Sequence, residues 1–377
     1  MSRILLLIGH SENRRLLAEW LRARYHVAAP EVGGADQGAA LAAPFDLCIV
    51  DAGCLHRFEG WARAVRSASQ PEFLPFLLLA HRHDVGLATG QIWRTVDELI
   101  SAPVEKVELH ARVEMLLRAR NLSVDNLRLL RQVEADLARA RSVQEQLLPE
   151  RPIEVEGFDL AARCLPSREV GGDFYDWQDL GRGAVILTLG DVMGKGMAAA
   201  LLMATMRATL RAVTRATPQP GPALDAVRLA LAPDLERTGS FVTLFHARLD
   251  APERRLAYVD AGHGHGLVLR RNGAAAGIER CARPIGVPAP GRACPERTIT
   301  FEAGDALVVY SDGLIAPGAP PPTPDELARR LNDAPTAAAM VDRLVADRSG
   351  PTPPADDLTV LVLRCTGSDE RRSRPGG

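Results

Sequence analysis

The sequence predicts a multidomain protein in which an α/β domain, a long helix and an α+β domain follow one another. Three observations carry that reading. Short apolar runs alternate with helix-length segments near the N-terminus, residues 104–148 contain neither Gly nor Pro, and strand-like runs with alternating faces recur from Phe158 onward. A length of 377 residues exceeds one average domain. The 46% apolar fraction leaves enough material for more than one core. A net charge of −2 supplies no bulk attraction to nucleic acid or an anionic membrane. No stretch approaches the roughly 18 consecutive apolar residues of a membrane span, and Met1-Ser2-Arg3 leads into a strand rather than a signal peptide. Six cysteines lie far apart without a CxxC pair, as expected of reduced thiols in a cytoplasmic protein.

Arg3 to Ile8 reads as a buried strand, and Leu16, Leu17 and Leu21 mark the helix after it. Leu47 to Val50 and Phe76 to Leu79 are further apolar runs, so the first domain is expected to hold a parallel sheet. Asp51 stands at the C-terminal end of its strand, the edge where α/β domains place ligands. His81 and His83 lack a third nearby ligand and read as a solvated loop.

Over residues 1–119 the chain resembles the receiver domain of bacterial response regulators, a flavodoxin-like fold. Asp51 matches the position of the phospho-accepting aspartate. The rest of the pattern departs: Ile8-Gly9-His10 replaces the acidic pair, Ala80 replaces a Ser or Thr, and Ala102 replaces the Lys before Pro103. A phosphoryl group on Asp51 would lack the charges that stabilise it. The resemblance therefore implies a degenerate receiver, used for dimerisation or for docking an upstream sensor or other partner.

From Val104 to Leu148 the sequence favours one long helix or two abutting ones. Leu130, Val133, Leu137, Ala140, Gln144 and Leu147 step by three and four, a heptad-like seam with one polar member. Residues 120–150 are thus expected to be a helical linker, pairing with a second copy or packing on the chain's own domains. Pro149 and Pro152 close it.

Phe241, Thr243, Phe245 and Ala247 share one face of a strand, and Leu256 to Val259, Leu267 to Arg270 and Ala306 to Tyr310 are further strands. Asn272-Gly273 signals a hairpin. Helices are expected from Met197 to Thr214, from Pro222 to Leu235, and twice after Pro321. The first of the last two opens on a capping box at Thr323-Pro324-Asp325-Glu326. Antiparallel strands with helices in blocks predict a sandwich flanked by helices over residues 151–366, followed by a disordered tail at 367–377.

Four acidic motifs sit at the ends of these runs: Gly171-Gly172-Asp173, Gly190-Asp191-Val192-Met193-Gly194-Lys195-Gly196, Ser311-Asp312-Gly313 and Asp356-Asp357-Leu358-Thr359. Carboxylates without imidazole or thiolate favour Mg²⁺ or Mn²⁺ over zinc. Such ions point to phosphoryl chemistry. Strand ends are rigid enough for remote carboxylates to converge.

With Arg168 to Asp176, Phe241 to Phe245, Ala261-Gly262-His263 and Pro284-Ile285-Gly286, this ordered set resembles the SpoIIE-like branch of the PPM (protein phosphatase 2C-like) serine/threonine phosphatases, over roughly residues 125–365. The resemblance implies that Asp191 bridges two Mn²⁺ or Mg²⁺ ions and that Val192 lends its backbone carbonyl to one of them. Asp312 and Asp356 would complete the first ion's ligands, and Asp173 would hold waters of the second. Two ions about 3.5–4 Å apart polarise a shared water toward attack on phosphorus. Asp357 is either a third-ion or supporting group or a strand-start carboxylate facing water. Arg168 has the spacing of a phosphate-binding arginine or is a solvated surface residue. Lys195 meets phosphate or lines its turn. His263 is a loop-packing or substrate-rim residue. Gly264-His265-Gly266 and Ile315-Ala316-Pro317 depart from the pattern of relatives. Helix residues 197–213 correspond to a switch element in such phosphatases.

The expected protein is thus a metal-dependent serine/threonine phosphatase with a receiver-like regulatory domain. The resemblance implies a phosphorylated STAS-domain anti-anti-sigma factor as substrate, in a partner-switching pathway. Rival readings are a non-catalytic signalling scaffold, a response regulator phosphorylated on Asp51, and a hydrolase of small phosphorylated metabolites.

Overall fold

The computed structural model describes residues 1–81, 95–288, 294–316, 318–346 and 355–367; His83, Pro317 and residues 371–374 of the basic tail lie outside them. The chain divides into two compact units, Met1–Ala135 and Asp136–Gly377. Among the described residues no helix is long and apolar enough to cross a membrane.

The first unit contains β1 (Arg3–Leu7), α1 (Ser11–Arg22), β2 (His26–Ala28), α2 (Gln37–Ala42), β3 (Leu47–Asp51), α3 (Ala52–Ser69), β4 (Phe76–His81) and β5 (Glu98–Ala102). Its sheet has the order β2-β1-β3-β4-β5 and is parallel throughout. Both faces are covered, which explains why its strands are continuously apolar rather than alternating. Ile4, Leu6, Ile49 and Leu77 pack with Ala18 and Leu21 of α1. Leu5, Leu7, Val50 and Leu78 pack with Leu55 and Ala62 of α3.

Helix α4 (Lys106–Leu147) is a single helix of 42 residues. Its opening turns bury Leu109, Val113, Leu116 and Leu117 in the first core. Further along, Leu122, Leu129, Leu130, Val133 and Val143 stand at least 57% exposed. Of the seam, Leu130 and Val133 therefore face solvent, whereas Gln144 is buried.

The second unit is a sandwich of two antiparallel sheets. Its strands are β6 (Phe158–Leu165), β7 (Phe174–Gly181), β8 (Ala184–Val192), β9 (Val242–Asp250), β10 (Arg255–Ala261), β11 (Gly266–Leu269), β12 (Ala275–Gly277), β13 (Arg297–Thr300), β14 (Ala306–Tyr310) and β15 (Leu358–Cys365). One sheet has the order β13-β10-β9-β8-β7 and the other β12-β11-β14-β15-β6. Leu187, Leu189, Phe245, Ala247, Leu307, Val309 and Leu361 meet between the sheets. The period of two along β9 works as expected, with Phe245 and Ala247 turned inward and Val242 and Leu244 turned to the helices.

Helices α5 (Met197–Ala216) and α6 (Pro220–Thr238) cover the first sheet through Met203, Met206, Leu210 and Leu224. Helices α7 (Pro324–Leu331) and α8 (Ala337–Ala346) cover the second through Leu327, Leu331, Met340 and Leu344. The capping box at Thr323 and Glu326 forms with both hydrogen bonds. The Asn272-Gly273 turn joins β11 to β12, with Gly273 at φ 86°. The layers run helix, sheet, sheet, helix, and the sheet termini carry the acidic motifs.

Candidate metal centre

β7 and β8 form an antiparallel hairpin whose register pairs Phe174 with Gly190. That pairing brings Asp173, just before β7, beside Asp191 near the end of β8. Gly190 has no room for a side chain, since a Cβ there would overlap the Phe174 ring. The chain then turns through Gly194 and Gly196, at φ 104° and 75°, before α5 begins.

The second sheet contributes the other half. β14 ends at Tyr310, paired with Val360 of β15, so Asp312 and Asp356-Asp357 flank the same sheet edge. Ser311 fixes this junction. Its N–H donates to the Thr359 carbonyl at 2.8 Å, its hydroxyl donates to the Asp357 carbonyl at 3.0 Å, and the Thr359 N–H donates to its Oγ at 2.8 Å. Asp312 opens a one-turn 3-10 helix. A Cβ on Gly313 would overlap the Asp357 carbonyl, so only glycine lets the two segments approach this closely.

Asp357 ties the two sheets together. One of its oxygens accepts from the Ser167 N–H at 2.7 Å and hydroxyl at 2.8 Å, and the other accepts from the Gly172 N–H at 2.7 Å. The residue is buried, so it is not a carboxylate facing water. It holds the loop that carries Asp173, and its oxygens are engaged by protein donors. From the other side, Gln144 at the end of α4 accepts from the Gly171 N–H at 3.1 Å and donates to the Gly171 carbonyl at 2.7 Å. The sequence presents Gln144 only as a polar break in an apolar seam.

The electrostatics of the carboxylates are mutual. Burial, then the charge of Asp191, raises Asp173 well above the usual carboxylate range. Burial, then Asp312, Asp356 and Asp357, pushes Asp191 up to about 6. Burial and Asp356 raise Asp312. Like charges that disfavour one another's ionised form call for a cation.

One cation is already at hand. Lys195 Nζ lies 2.8 Å from an Asp356 oxygen and donates to the Ala355 carbonyl at 3.0 Å. It sits on a candidate ligand, with an acid as its partner. Arg168 is exposed and makes no hydrogen bond or salt bridge among the described residues. His263 is buried in packing, its Nε2 2.9 Å from the Tyr310 carbonyl, and burial depresses it to about 3. His265, next to Tyr310, is close enough to Asp312 to feel its charge.

The donor set suits a hard divalent ion. It is all oxygen, it concentrates negative charge, and the buried Asp173 Oδ2 has no hydrogen-bond partner among the described residues. Val192 follows Asp191, and its carbonyl oxygen lies against Gly172, where a Cβ would be only 2.6 Å away. Among the described residues, no three His, Cys, Asp or Glu side chains are drawn together as a ready-made cage. Asp356 is turned to Lys195 and Asp312 is exposed, so ion binding requires these side chains to close in.

Residues 181–366 match the family model described as Stage II sporulation protein E (SpoIIE). The matched span includes Asp191, Asp312, Asp356 and Asp357 and begins after Asp173. Among particular proteins, the chain is 22% identical over 184 residues to the phosphoserine phosphatase RsbU of Bacillus subtilis, covering 48% of this chain and 54% of RsbU. It is 27% identical over 206 residues to Protein IcfG of a Synechocystis species, covering 48% of this chain and 32% of that protein. The chain thus spans about a third to a half of the curated relatives it matches. The SiaA-PP2C domain of Pseudomonas aeruginosa shares the fold, with a TM-score of 0.53 at 20% identity over 62% of this chain and 98% of that domain.

Proposed function

We propose that this chain is a metal-dependent protein-serine/threonine phosphatase whose second unit hydrolyses phosphoserine or phosphothreonine. The observation that carries the reading is the gathering of Asp173, Asp191, Asp312 and Asp356 at one edge of the sandwich, where burial and then neighbouring carboxylates raise Asp173, Asp191 and Asp312.

Asp191, the Val192 carbonyl, Asp312 and Asp356 are the proposed donors to one Mn²⁺ or Mg²⁺ ion, with Asp191 and Asp173 serving a second. When bound, such ions polarise water and phosphoryl oxygens as Lewis acids. Asp357 keeps the Asp173 loop in place through Ser167 and Gly172. Exposed and unpaired among the described residues, Arg168 is free to orient a substrate phosphate. Lys195 becomes available for the same task once Asp356 is taken by an ion.

The proposed substrate is a phosphorylated STAS-domain anti-anti-sigma protein in a cytoplasmic partner-switching circuit. Similarity to a protein named phosphoserine phosphatase RsbU supports phosphoserine as the group removed. Residues 1–119 act in this reading as a receiver-like docking domain for an upstream protein. Residues 120–150 act as the helical linker of a homodimer, 151–366 as the phosphatase domain and 367–377 as a tail.

Release of phosphate from a phosphoserine peptide and from p-nitrophenyl phosphate tests the activity. The protein is expected to turn over in Mn²⁺ and to lose about a hundredfold or more in Asp191→Ala. Equal activity of parent and variant, or none from the parent across Mn²⁺ and Mg²⁺, refutes the reading.

A further inference from the structure

The first unit contains a cavity of about 780 Å³ that the proposed phosphatase chemistry does not use. It opens at the carboxyl edge of the parallel sheet, lined by residues that follow β1, β3 and β5. In the order β2-β1-β3-β4-β5 the connections leaving the carboxyl ends of β1 and β3 run in opposite directions, and ligands of doubly wound sheets bind at such a reversal. The volume falls within the usual range for small-molecule sites, roughly 300–1,000 Å³.

The chemistry of the lining selects the ligand. Leu17, Trp20, Leu79 and Leu109 make most of the wall apolar, and Leu16 stands 51% exposed at its mouth. Among the described residues Asp51 is the only acid in the lining, and both of its oxygens are committed. Oδ2 accepts from the Gly9 N–H at 2.6 Å, and Oδ1 caps α3 by accepting from the Cys54 N–H at 2.8 Å. Arg57 and Lys106 also line the cavity, exposed and without a salt-bridge partner among the described residues. Among the described residues the site thus joins an apolar wall to two cations without salt-bridge partners, Arg57 lying 5.7 Å over the Phe58 ring, and one carboxylate already spent on the backbone. A bare phosphate would lose its hydration against such a wall with too few donors to replace it. An amphipathic anion satisfies both parts.

We propose that this cavity binds a small organic anion with an apolar body, which buries that body against Trp20 and Leu17 and meets Arg57 and Lys106 with its charge. The site makes the first unit a ligand sensor in place of a phosphorylation target. The proposal stands apart from the phosphatase reading and is tested without it.

Anilinonaphthalene sulfonate, a flat apolar anion, is a suitable probe for fluorescence titration of the full chain. Saturable binding is expected, weakened about fivefold or more in Arg57→Gln/Lys106→Gln and likewise in Leu16→Glu, whose carboxylate would repel the probe. Phenylnaphthylamine, which lacks the sulfonate, should bind more weakly than the anion. Arg57 and Lys106 are exposed, so the double variant keeps the fold and decides the matter even if Leu16→Glu does not. Affinity within about twofold of the parent in the double variant overturns the proposal, because the probe then sits on some other apolar surface. Displacement of the probe by equimolar inorganic phosphate overturns it too, by making this a phosphate site.

Discussion

Lys195 and a divalent ion compete for the same side of Asp356. The ammonium lies 2.8 Å from Oδ2, and an incoming cation must displace it. Replacing it by methionine removes both the competitor and a like charge. Lys195→Met is therefore expected to bind Mn²⁺ about three- to tenfold more tightly by calorimetry. Unchanged or weaker binding would show that the lysine does not compete. The sequence displays every one of these residues but not their directions. Asp356 and Asp357 are adjacent, and neighbours entering a strand point to opposite faces. One therefore reaches Lys195 at the open edge while the other is buried on Ser167 and Gly172. Nothing in a run of two aspartates says which is which.

Among the elements, the last turns of α4 do more than connect. Gln144 is the one side chain there that exchanges two hydrogen bonds with Gly171, in the loop that carries Asp173. A leucine would fit the apolar seam yet leave a buried N–H and carbonyl without partners. Gln144→Leu is expected to destabilise the second unit by about 2–4 kcal/mol in urea unfolding. It should also weaken Mn²⁺ binding, because the Asp173 loop loses one of its anchors. A variant as stable as the parent would mean that the loop is held by Asp357 alone. Much of this level was legible beforehand. The glycine- and proline-free stretch becomes one helix, the capping box starts α7, and the Asn272-Gly273 turn closes its hairpin. Those features depend on local propensity and turn chemistry. The Gln144 contact spans 27 residues, and no local pattern encodes it.

For the molecule as a whole, α4 leaves Leu122, Leu129 and Val133 exposed, spaced by seven and four. That is the spacing of a coiled-coil seam. Light scattering is expected to give twice the 40.7 kDa chain mass, and Leu129→Asp/Val133→Asp should return the monomer. A monomeric parent at micromolar concentration would leave the seam unpaired and refute the dimer.

The sequence by itself determined the order of elements, the apolar faces of the strands and the residue types available to the site. It did so because hydrophobic period, turn residues and caps act over a few positions. Only the tertiary structure decided which oxygens meet. The pairing of Phe174 with Gly190 and of Tyr310 with Val360 aligns segments remote along the chain, and a slip of one residue in either would turn the carboxylates away from one another. The same holds for Asp51, whose commitment to Gly9 and Cys54 appears only when β1 and β3 lie side by side.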